Sequence, residues 1–326
     1  MRPDAPTRRR AITIFAAAAA SAVTGGPAIS DQADYAWHGI AMGADATILL
    51  NGIEANAARS AIAAAAAEID RLEDALSLFR AGSELRRLNR DKLLQSPSGD
   101  LRRALALALD IAGRSGGLFD PSVQALWETH VDWFAAAPGA GLPPDEVITR
   151  ARAAVDWRRI VIEPDSIGTG ADQRLTLNGL GQGYVTDRVA ELLLSRGLQH
   201  VFVDLGEQRA LGPRRGGAPW LVARANAAPF ALTSGALATS EGSGCVLGAS
   251  GAAHHLFDPR SGRSAAHWSK VTVHHHSAAV ADALSTALYV ASSAEIETLL
   301  PRFAGTTVWA TDPAGRERQW ISPPVA

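Results

Sequence analysis

Features that mark several classes of protein are scarce or missing in this chain of 326 residues. It contains one cysteine, Cys245, which excludes an internal disulfide. Lys and Arg do not outnumber Asp and Glu, and the formal net charge is −2. This balance argues against a nucleic-acid partner, because such a partner needs a basic face. No repeat with a period of about 20–50 residues is present, so the sequence does not predict a solenoid.

The first 28 residues predict an export signal peptide. Arg8-Arg9-Arg10 precede a short apolar core at residues 11–20, and small residues follow up to Ala28. The core is shorter than the roughly 20 residues that a membrane-spanning helix needs, so we expect no membrane span. The paired arginines and the alanine-rich core favour the twin-arginine route, with the Sec route as the alternative. No cysteine follows the signal, so we expect no lipid anchor and a soluble periplasmic protein.

The rest of the chain, residues 29–326, is expected to be globular. Hydrophobic residues make up 47% of the sequence and charged residues 20%. A chain of this length can bury a large core as one domain or as two lobes. The stretch at residues 135–144 is rich in Ala, Pro and Gly and predicts a surface loop that could join two lobes.

Hydrophobic periodicity predicts both helices and strands. The predicted helices lie at residues 57–78, 101–114, 145–155, 184–196, 279–291 and 294–300. The predicted strands lie at residues 44–50, 159–164, 174–177, 201–204, 220–225, 236–240, 270–274 and 306–310. Most strands follow one another, with helices in pairs between them, so the pattern favours an α+β fold over a doubly wound parallel sheet.

The segment from Leu177 to Asp187 reads Leu-Asn-Gly-Leu-Gly-Gln-Gly-Tyr-Val-Thr-Asp and precedes a helical pattern. Glycines before a helix let backbone N–H groups approach a ligand closely, and a helix N-terminus favours anions. The segment therefore indicates a phosphate site, and a plain strand-to-helix turn is the alternative.

Further stretches accompany this segment in a fixed order: Ala41-Met-Gly43, Ser83–Asn89, Gly117-Leu-Phe-Asp-Pro121, His255–Gly262 and Ala281–Ala287. Together they resemble the ApbE-type FAD:protein FMN transferases over nearly the whole chain from Met42 onwards. The resemblance implies a mixed α/β, T-fold-like architecture that binds flavin between two parts of the fold. It also implies transfer of FMN from FAD to a Thr or Ser hydroxyl of an exported flavoprotein, with Mg²⁺ as cofactor and AMP as product. The alternatives are an FAD pyrophosphatase and a non-catalytic flavin-binding protein.

Asp282 and Thr286 are candidate metal ligands. They lie four residues apart on a predicted helix and so share one face of it. A carboxylate and a hydroxyl there can both reach Mg²⁺, which prefers oxygen ligands. The alternative is that Asp282 only interacts favourably with the helix dipole. The resemblance implies Asp282, Thr286 and the backbone carbonyl of Gly179 as metal ligands, and it makes Asp282 necessary for turnover.

His255 is the candidate catalytic base, because a histidine can take a proton from the acceptor hydroxyl or protonate the leaving group. His254 is adjacent and faces the other way on an extended segment, so only one of the two is expected to point inward. The family pattern of a His followed by Asp-Pro selects His255. The alternative is a histidine that only bonds the turn backbone.

The resemblance also implies a set of flavin contacts, each of which could instead be a core residue. They are Met42, Phe79, Leu118, Phe119, Asp120, Thr176, Gln182 and Leu256. Three positions depart from the family pattern: Thr176 stands where Asp is frequent, Gln182 where Lys is common, and Ala44 where Thr follows Met-Gly. Asp204 and Glu207 are expected either to support the site or to cap a turn. His274-His275-His276 is interpreted as an exposed strand end, because consecutive side chains on an extended chain alternate between faces.

Overall fold

The computed structural model describes residues 33–137, 139–224, 227–248 and 253–324. The predicted signal at residues 1–28 lies outside the described residues, as does Pro138 within the predicted junction at 135–144. A division of the chain into two lobes therefore stays a prediction. No helix among the described residues has both the length and the apolar character needed to cross a membrane.

The strands are short and numerous. In chain order they are β1 Tyr35–Ala41, β2 Ala44–Leu50, β3 Leu93–Gln95, β4 Val161–Ile162, β5 Ser166–Gly168, β6 Val201–Asp204, β7 Gln208–Ala210, β8 Trp220–Arg224, β9 Ala227–Leu232, β10 Gly235–Glu241, β11 Val246–Leu247, β12 Ala253–His254, β13 Phe257–Asp258, β14 Arg263–Ser264, β15 Lys270–His275, β16 Thr307–Thr311 and β17 Glu317–Ile321.

The helices lie mostly between groups of strands. They are α1 Ala55–Leu76, α2 Glu84–Asp91, α3 Gly99–Arg114, α4 Gln124–Ala136, α5 Asp145–Arg152, α6 Gly181–Ser195, α7 Ala278–Val290 and α8 Ser293–Leu299. Short 3₁₀ turns cover Trp157–Arg159, Gly242–Gly244 and Leu300–Arg302.

Eight strands form one antiparallel sheet in the order β1-β2-β6-β7-β10-β15-β16-β17. Met42 and Gly43 join β1 to β2 with φ angles of 51° and 82°, which is the backbone of a two-residue hairpin turn. Strand β10 pairs with β7 only from Gly235 to Leu237, so its remaining residues have β15 alone as their partner strand. An opening is thus left beside the second half of β10, where the cavity described below lies.

The helices bury one face of this sheet. Helix α7 packs against β10 and β15, α6 packs against α7 and β6, and α1 packs against α6. Helix α7 is buried on nearly all sides, in agreement with its largely apolar sequence. On the opposite face, the hairpin β8–β9 covers a smaller apolar cluster that contains Phe202, Trp220 and Leu237.

The structure confirms the α+β class and the predicted helices, each within three residues at either end. The predicted strand at 174–177 is wrong, because Arg174 forms only an isolated bridge with Val123. Helix α6 begins at Gly181 rather than at residue 184. Helices α2 and α4 and strands β1 and β17 were not predicted.

Candidate active site

The glycine-rich segment is built into the first turn of α6. Gly183 faces the start of α7, and a Cβ added to it would lie 2.3 Å from the carbonyl oxygen of Ala278. A glycine is therefore required for the two helix N-termini to come this close. The backbone N–H of Gly183 donates a hydrogen bond of 3.0 Å to Asp282 Oδ2.

Asp187, which ends the same segment, caps α7 from outside that helix. Its carboxylate accepts hydrogen bonds from the backbone N–H groups of Ala278 at 2.8 Å and Ala279 at 3.0 Å. It also accepts a bond of 2.6 Å from Ser277 Oγ and pairs with Arg209. A carboxylate at a helix N-terminus is stabilising. Asp187 thus fixes the helix that presents Asp282 and Thr286. This capping role of Asp187 was not predicted from the sequence.

A cavity of about 820 Å³ opens beside these two helices. It brings together every candidate site residue of the sequence: Met42, Phe79, Leu118, Phe119, Asp120, Thr176, Gly179, Gln182, His255, Leu256, Asp282 and Thr286. The structure thus gathers residues from segments that are far apart in the chain. Their individual roles stay predictions.

The three candidate metal ligands lie close together. Asp282 is buried, with 4% of its surface exposed. Gly179 packs against Thr286, and a Cβ at position 179 would lie 2.9 Å from Thr286 Oγ1. The same hydroxyl is 3.4 Å from Ser240 Oγ. The absence of a side chain at Gly179 therefore leaves the space next to the Thr286 hydroxyl open.

Three carboxyl groups, those of Asp282, Glu207 and Asp204, lie around this position. Burial raises the pKa of Asp282 to about 7; the N–H of Gly183 lowers it and the Asp187 carboxylate raises it. Burial raises the pKa of Glu207 well above its ordinary value, and the carboxylates of Asp282 and Asp204 raise it further. Burial also raises the pKa of Asp204. Carboxylates that are costly to ionise in this way are stabilised by a cation.

The donor set fits Mg²⁺. A carboxylate, a hydroxyl and a backbone carbonyl are the oxygen ligands that this ion prefers, and it retains waters in its remaining positions. Among the described residues, no group of three or more His, Cys, Asp or Glu side chains is arranged to hold a metal. The predicted ligand set differs from such a group, because Asp282 is its only His, Cys, Asp or Glu side chain.

His255 lies at the cavity, whereas both ring nitrogens of His254 contact the backbone. His254 Nε2 is 2.8 Å from the Ala265 carbonyl, and its Nδ1 accepts a bond of 3.3 Å from the N–H of Leu256. His255 Nδ1 lies 3.3 Å from the Cys245 carbonyl, so this nitrogen carries the proton and Nε2 keeps its lone pair. Burial lowers the pKa of His255 to about 4, so the ring is neutral at pH 7.

The candidate flavin contacts include residues whose polar atoms already have partners. Asp120 Oδ1 accepts bonds from the N–H of Ser122 at 2.8 Å and its Oγ at 2.6 Å. Asp120 Oδ2 accepts a bond of 3.1 Å from the N–H of Trp157. Thr176 Oγ1 accepts a bond of 3.1 Å from the N–H of Asn178. Asp120 and Thr176 are therefore fixed in the cavity wall by these hydrogen bonds, and a contact of either side chain with flavin stays a prediction.

Apolar and aromatic surface comes from other parts of the chain. Met42 occupies the left-handed backbone region in the β1–β2 turn, and its N–H donates to a carboxylate oxygen of Glu73 on α1. Phe79 is 38% exposed at the cavity and so remains accessible. Gln182 lies beside Gly206, where a Cβ would lie 2.3 Å from Gln182 Nε2. The Gln182 amide is thus held against the turn between β6 and β7.

The interpretation of the three consecutive histidines is wrong in one respect. His276 is exposed, but His275 is buried at the end of β15. The N–H of Ser277 donates a bond of 3.1 Å to His275 Nδ1. His275 therefore supports the N-terminus of α7 instead of facing solvent.

The cavity also has a part that sequence reasoning did not predict. The face of the sheet opposite the helices contributes Thr239, Thr272 and Trp309, and the β8–β9 hairpin contributes Arg224 and Phe230. The hydroxyls of Thr239 and Thr272 are 3.0 Å apart on neighbouring strands. Only the pairing of strands distant in sequence assembles this part.

A mixed α/β fold with a large cavity that contains buried carboxylates and a histidine is typical of enzymes. Comparison with known proteins specifies the class further. Residues 42–309 match the ApbE family. This match covers well over half of the chain, and the protein belongs to the ApbE family. The resemblance predicted from the sequence is thereby confirmed.

Named relatives agree with this assignment. The FAD:protein FMN transferase of Vibrio cholerae serotype O1 is 29% identical over 167 residues, which are 48% of this chain and 49% of that protein. The FAD:protein FMN transferase of Treponema pallidum is 28% identical over 113 residues, which are 31% of this chain and 30% of that protein. The matches thus span half or less of the length of these relatives.

Solved structures share the fold over most of their length. The ApbE protein of Thermotoga maritima has a TM-score of 0.78 at 23% identity, covering 87% of this chain and 96% of its own. The flavinyl transferase ApbE of Pseudomonas stutzeri has a TM-score of 0.73 at 25% identity, covering 87% and 94%. The flavin transferase ApbE of Vibrio cholerae has a TM-score of 0.73 at 22% identity, covering 88% and 97%.

Proposed function

We propose that this protein is an FAD:protein FMN transferase that acts on an exported flavoprotein. The observation that carries the proposal is the gathering of Asp282, Thr286 and His255 around one cavity of about 820 Å³ in a member of the ApbE family. The names of the Vibrio and Treponema relatives support the same activity. The volume lies within the roughly 300–1,000 Å³ that is usual for small-molecule sites.

In the proposed reaction, a Thr or Ser hydroxyl of the acceptor attacks the phosphorus of the FMN half of FAD. A new O–P bond forms, the P–O bond to AMP breaks, and AMP leaves with the bridging oxygen. The hydroxyl proton passes to His255 Nε2, which is unprotonated because Nδ1–H donates to the backbone carbonyl of Cys245. Since the lowered pKa makes His255 a weak base, the proton moves as the O–P bond forms and the hydroxyl becomes acidic.

Mg²⁺ would be held by the Asp282 carboxylate, the Thr286 hydroxyl and the Gly179 carbonyl. When bound, it neutralises charge on the pyrophosphate oxygens in the transition state. Gly183 and Asp187 keep Asp282 in place, the first through its N–H and the second by capping α7. The N-terminus of α6 adds a partial positive charge near the phosphates.

The predicted export signal at residues 1–28 determines where the protein would meet its acceptor. A protein that leaves the cytoplasm through the twin-arginine or Sec route would meet its acceptor in the periplasm. The transferase and its flavoprotein acceptor would then share one compartment.

The test is to incubate the purified protein with FAD and Mg²⁺, with and without an exported flavoprotein that carries a threonine target. AMP is followed by chromatography, and the acceptor is followed by mass spectrometry. We expect AMP release together with a gain of one FMN in the acceptor mass, and neither with an acceptor whose target Thr is replaced by Ala. AMP without modification of the acceptor would indicate an FAD pyrophosphatase. Bound FAD without AMP would indicate a flavin-binding protein.

A further inference from the structure

Tyr289 is a buried residue near the end of α7, and no step of the proposed function uses it. It follows Asp282 by seven residues and Thr286 by three, so the three side chains share one face of the helix. That face is directed towards the active site. A buried tyrosine hydroxyl usually has a hydrogen-bond partner, and the partner of Tyr289 is therefore expected close to the site.

The partner of the Tyr289 hydroxyl is the turn that follows β10. The backbone N–H of Gly242 donates a hydrogen bond to the hydroxyl oxygen. A Cβ added to Gly242 would lie 2.5 Å from the same oxygen, so a glycine is required for this close approach. Gly242 is the first residue of the 3₁₀ turn Gly242–Gly244, which has no side-chain cap of its own. The Tyr289 hydroxyl thus satisfies a buried N–H that the turn leaves without a partner.

This turn leads directly to the group that holds the candidate base. Ser243, Gly244 and Cys245 line the active-site cavity. The Cys245 carbonyl accepts a hydrogen bond of 3.1 Å from the backbone N–H of His255 and lies 3.3 Å from His255 Nδ1. Because only two residues separate Gly242 from Cys245, the position of this carbonyl depends on how the turn is held.

The contact at Nδ1 decides which nitrogen of His255 can act as a base. A neutral imidazole carries one proton, and the hydrogen bond made by one nitrogen determines which tautomer is present. While Nδ1–H is directed at the Cys245 carbonyl, Nε2 keeps its lone pair. A ring released from that carbonyl could carry its proton on Nε2 instead. Nε2 would then be unable to accept the proton of the acceptor hydroxyl.

Helix α7 supports both halves of the site in this way. Ser285 Oγ lies 2.8 Å from Ser240 Oγ, and this contact joins the helix to β10 itself. About one turn further along α7, Tyr289 holds the turn that follows β10. The same helix presents Asp282 and Thr286. The candidate metal ligands and the support of the candidate base are therefore parts of one rigid element.

We propose that Tyr289 is a positioning residue, whose hydroxyl holds the turn Gly242–Gly244 and so keeps the Cys245 carbonyl where it directs the Nδ1 proton of His255. This inference rests on the proposed transferase function and adds a residue to it. Tyr289 is not among the residues that line the cavity, so it acts through the turn and not by contact with FAD or the acceptor.

The test compares Tyr289→Phe with Tyr184→Phe. The first variant removes the hydroxyl and keeps the ring. Tyr184 is the matched control, because it is also buried, its hydroxyl donates a bond of 2.8 Å to Asp100, and it does not line the cavity. The tautomer of His255 is read by NMR on protein with isotope-labelled histidine, in the absence of FAD, and His255→Gln assigns the signal. The kinetic constants are measured separately.

We expect the wild type and Tyr184→Phe to carry the His255 proton on Nδ1. In Tyr289→Phe the proton should be found at least partly on Nε2. The kcat of this variant should fall about tenfold while the KM for FAD stays unchanged, because a displaced catalytic group slows the chemical step without weakening FAD binding. A variant that had only lost stability would keep the tautomer of the wild type.

Gly242→Ala provides a second route to the same contact. Its Cβ would displace the Tyr289 hydroxyl, so this variant should also move the His255 proton towards Nε2. In the double variant Tyr289→Phe/Gly242→Ala, the two effects on kcat should not add, because both changes remove one contact. Fully additive effects would contradict a shared action through the turn.

The positioning role would be overturned by a His255 proton that lies on Nε2 in the wild type, or that stays on Nδ1 in Tyr289→Phe. It would also be overturned by an equal change in Tyr184→Phe, which would indicate a general loosening of the protein. Because the tautomer is read without FAD, it does not depend on turnover. A change of tautomer in Tyr289→Phe alone, together with a wild type that transfers no FMN, would support the role of Tyr289 and reject the transferase.

Discussion

The N–H of Gly183 lies 3.0 Å from Asp282 Oδ2, and this hydrogen bond joins the first turn of α6 to α7. The same glycine is so close to Ala278 that a Cβ would lie 2.3 Å from its carbonyl oxygen. The position of the Asp282 carboxylate therefore depends on the lack of a side chain at residue 183. The glycine motif acts here through packing between helices as well as through its backbone N–H groups.

Gly183→Ala should consequently destabilise the protein. The clash is with backbone, so α6 and α7 must separate, and overpacking of this kind costs about 1–3 kcal/mol. The midpoint of urea unfolding should fall, and turnover should fall with it as Asp282 moves. Gly82→Ala is the control, because a Cβ there would meet nothing within 4 Å. Equal unfolding midpoints for the two variants would contradict the packing argument.

Substitutions at the candidate metal ligands should abolish the response to Mg²⁺. Asp282→Asn removes the buried charge, and Thr286→Val removes the hydroxyl while keeping the shape of the side chain. We expect turnover to fall by at least about 100-fold in each, because a cation no longer offsets charge on the phosphates. Mg²⁺ should raise the melting temperature of the wild type and not that of either variant.

Thr286→Ser provides the matched control, since it restores a hydroxyl at the same position. It should recover most of the Mg²⁺-dependent shift in melting temperature. A shift of wild-type size in both Asp282→Asn and Thr286→Val would exclude the proposed ligand set.

Substitution of the neighbouring residues His254 and His255 should have different effects, one on stability and the other on catalysis. His255→Gln should lower kcat by about 10²-fold or more while FAD still binds, because the acceptor hydroxyl loses its base. His254→Gln should lower the unfolding midpoint, since both ring nitrogens of His254 contact backbone groups, but kcat should change little. Similar kcat values for the two variants would argue against His255 as the base.

The order of motifs in the sequence predicted the fold class and the residues that meet at the cavity. It succeeded because the motifs resemble those of the ApbE-type family, which implied the cavity residues; local physics alone gave only part of them, such as the shared helix face of Asp282 and Thr286. The start of α6 was misplaced because glycine has a low intrinsic helix propensity. Packing of Gly183 against the start of α7 overrides that propensity, and packing between distant segments is not visible in a local pattern.

Other features were missed for similar reasons. Helix α2 has only eight residues and two buried leucines, too few to establish a period. Predicting the burial of His275 would have required knowing that β15 ends against the start of α7. The hydrogen bond from the N–H of Trp157 to Asp120 joins residues that are remote in sequence. These relationships follow from tertiary contacts alone.

His275 should make stability fall in mild acid. Its ring is buried, and burial lowers its pKa from 6.5 to about 4. The unfolded chain therefore binds this proton more readily, so the stabilisation is complete above about pH 6.5 and is lost as the pH falls towards 4. Protonation of Nδ1 would also break the bond from the Ser277 N–H that supports α7.

The unfolding free energy of the wild type should drop by roughly 2–3 kcal/mol more than that of His275→Gln between pH 8 and pH 4. His276→Gln, at an exposed ring, should keep the wild-type dependence. Parallel pH curves for all three proteins would show that His275 is not the source of the acid sensitivity, which would then lie with another buried histidine such as His130.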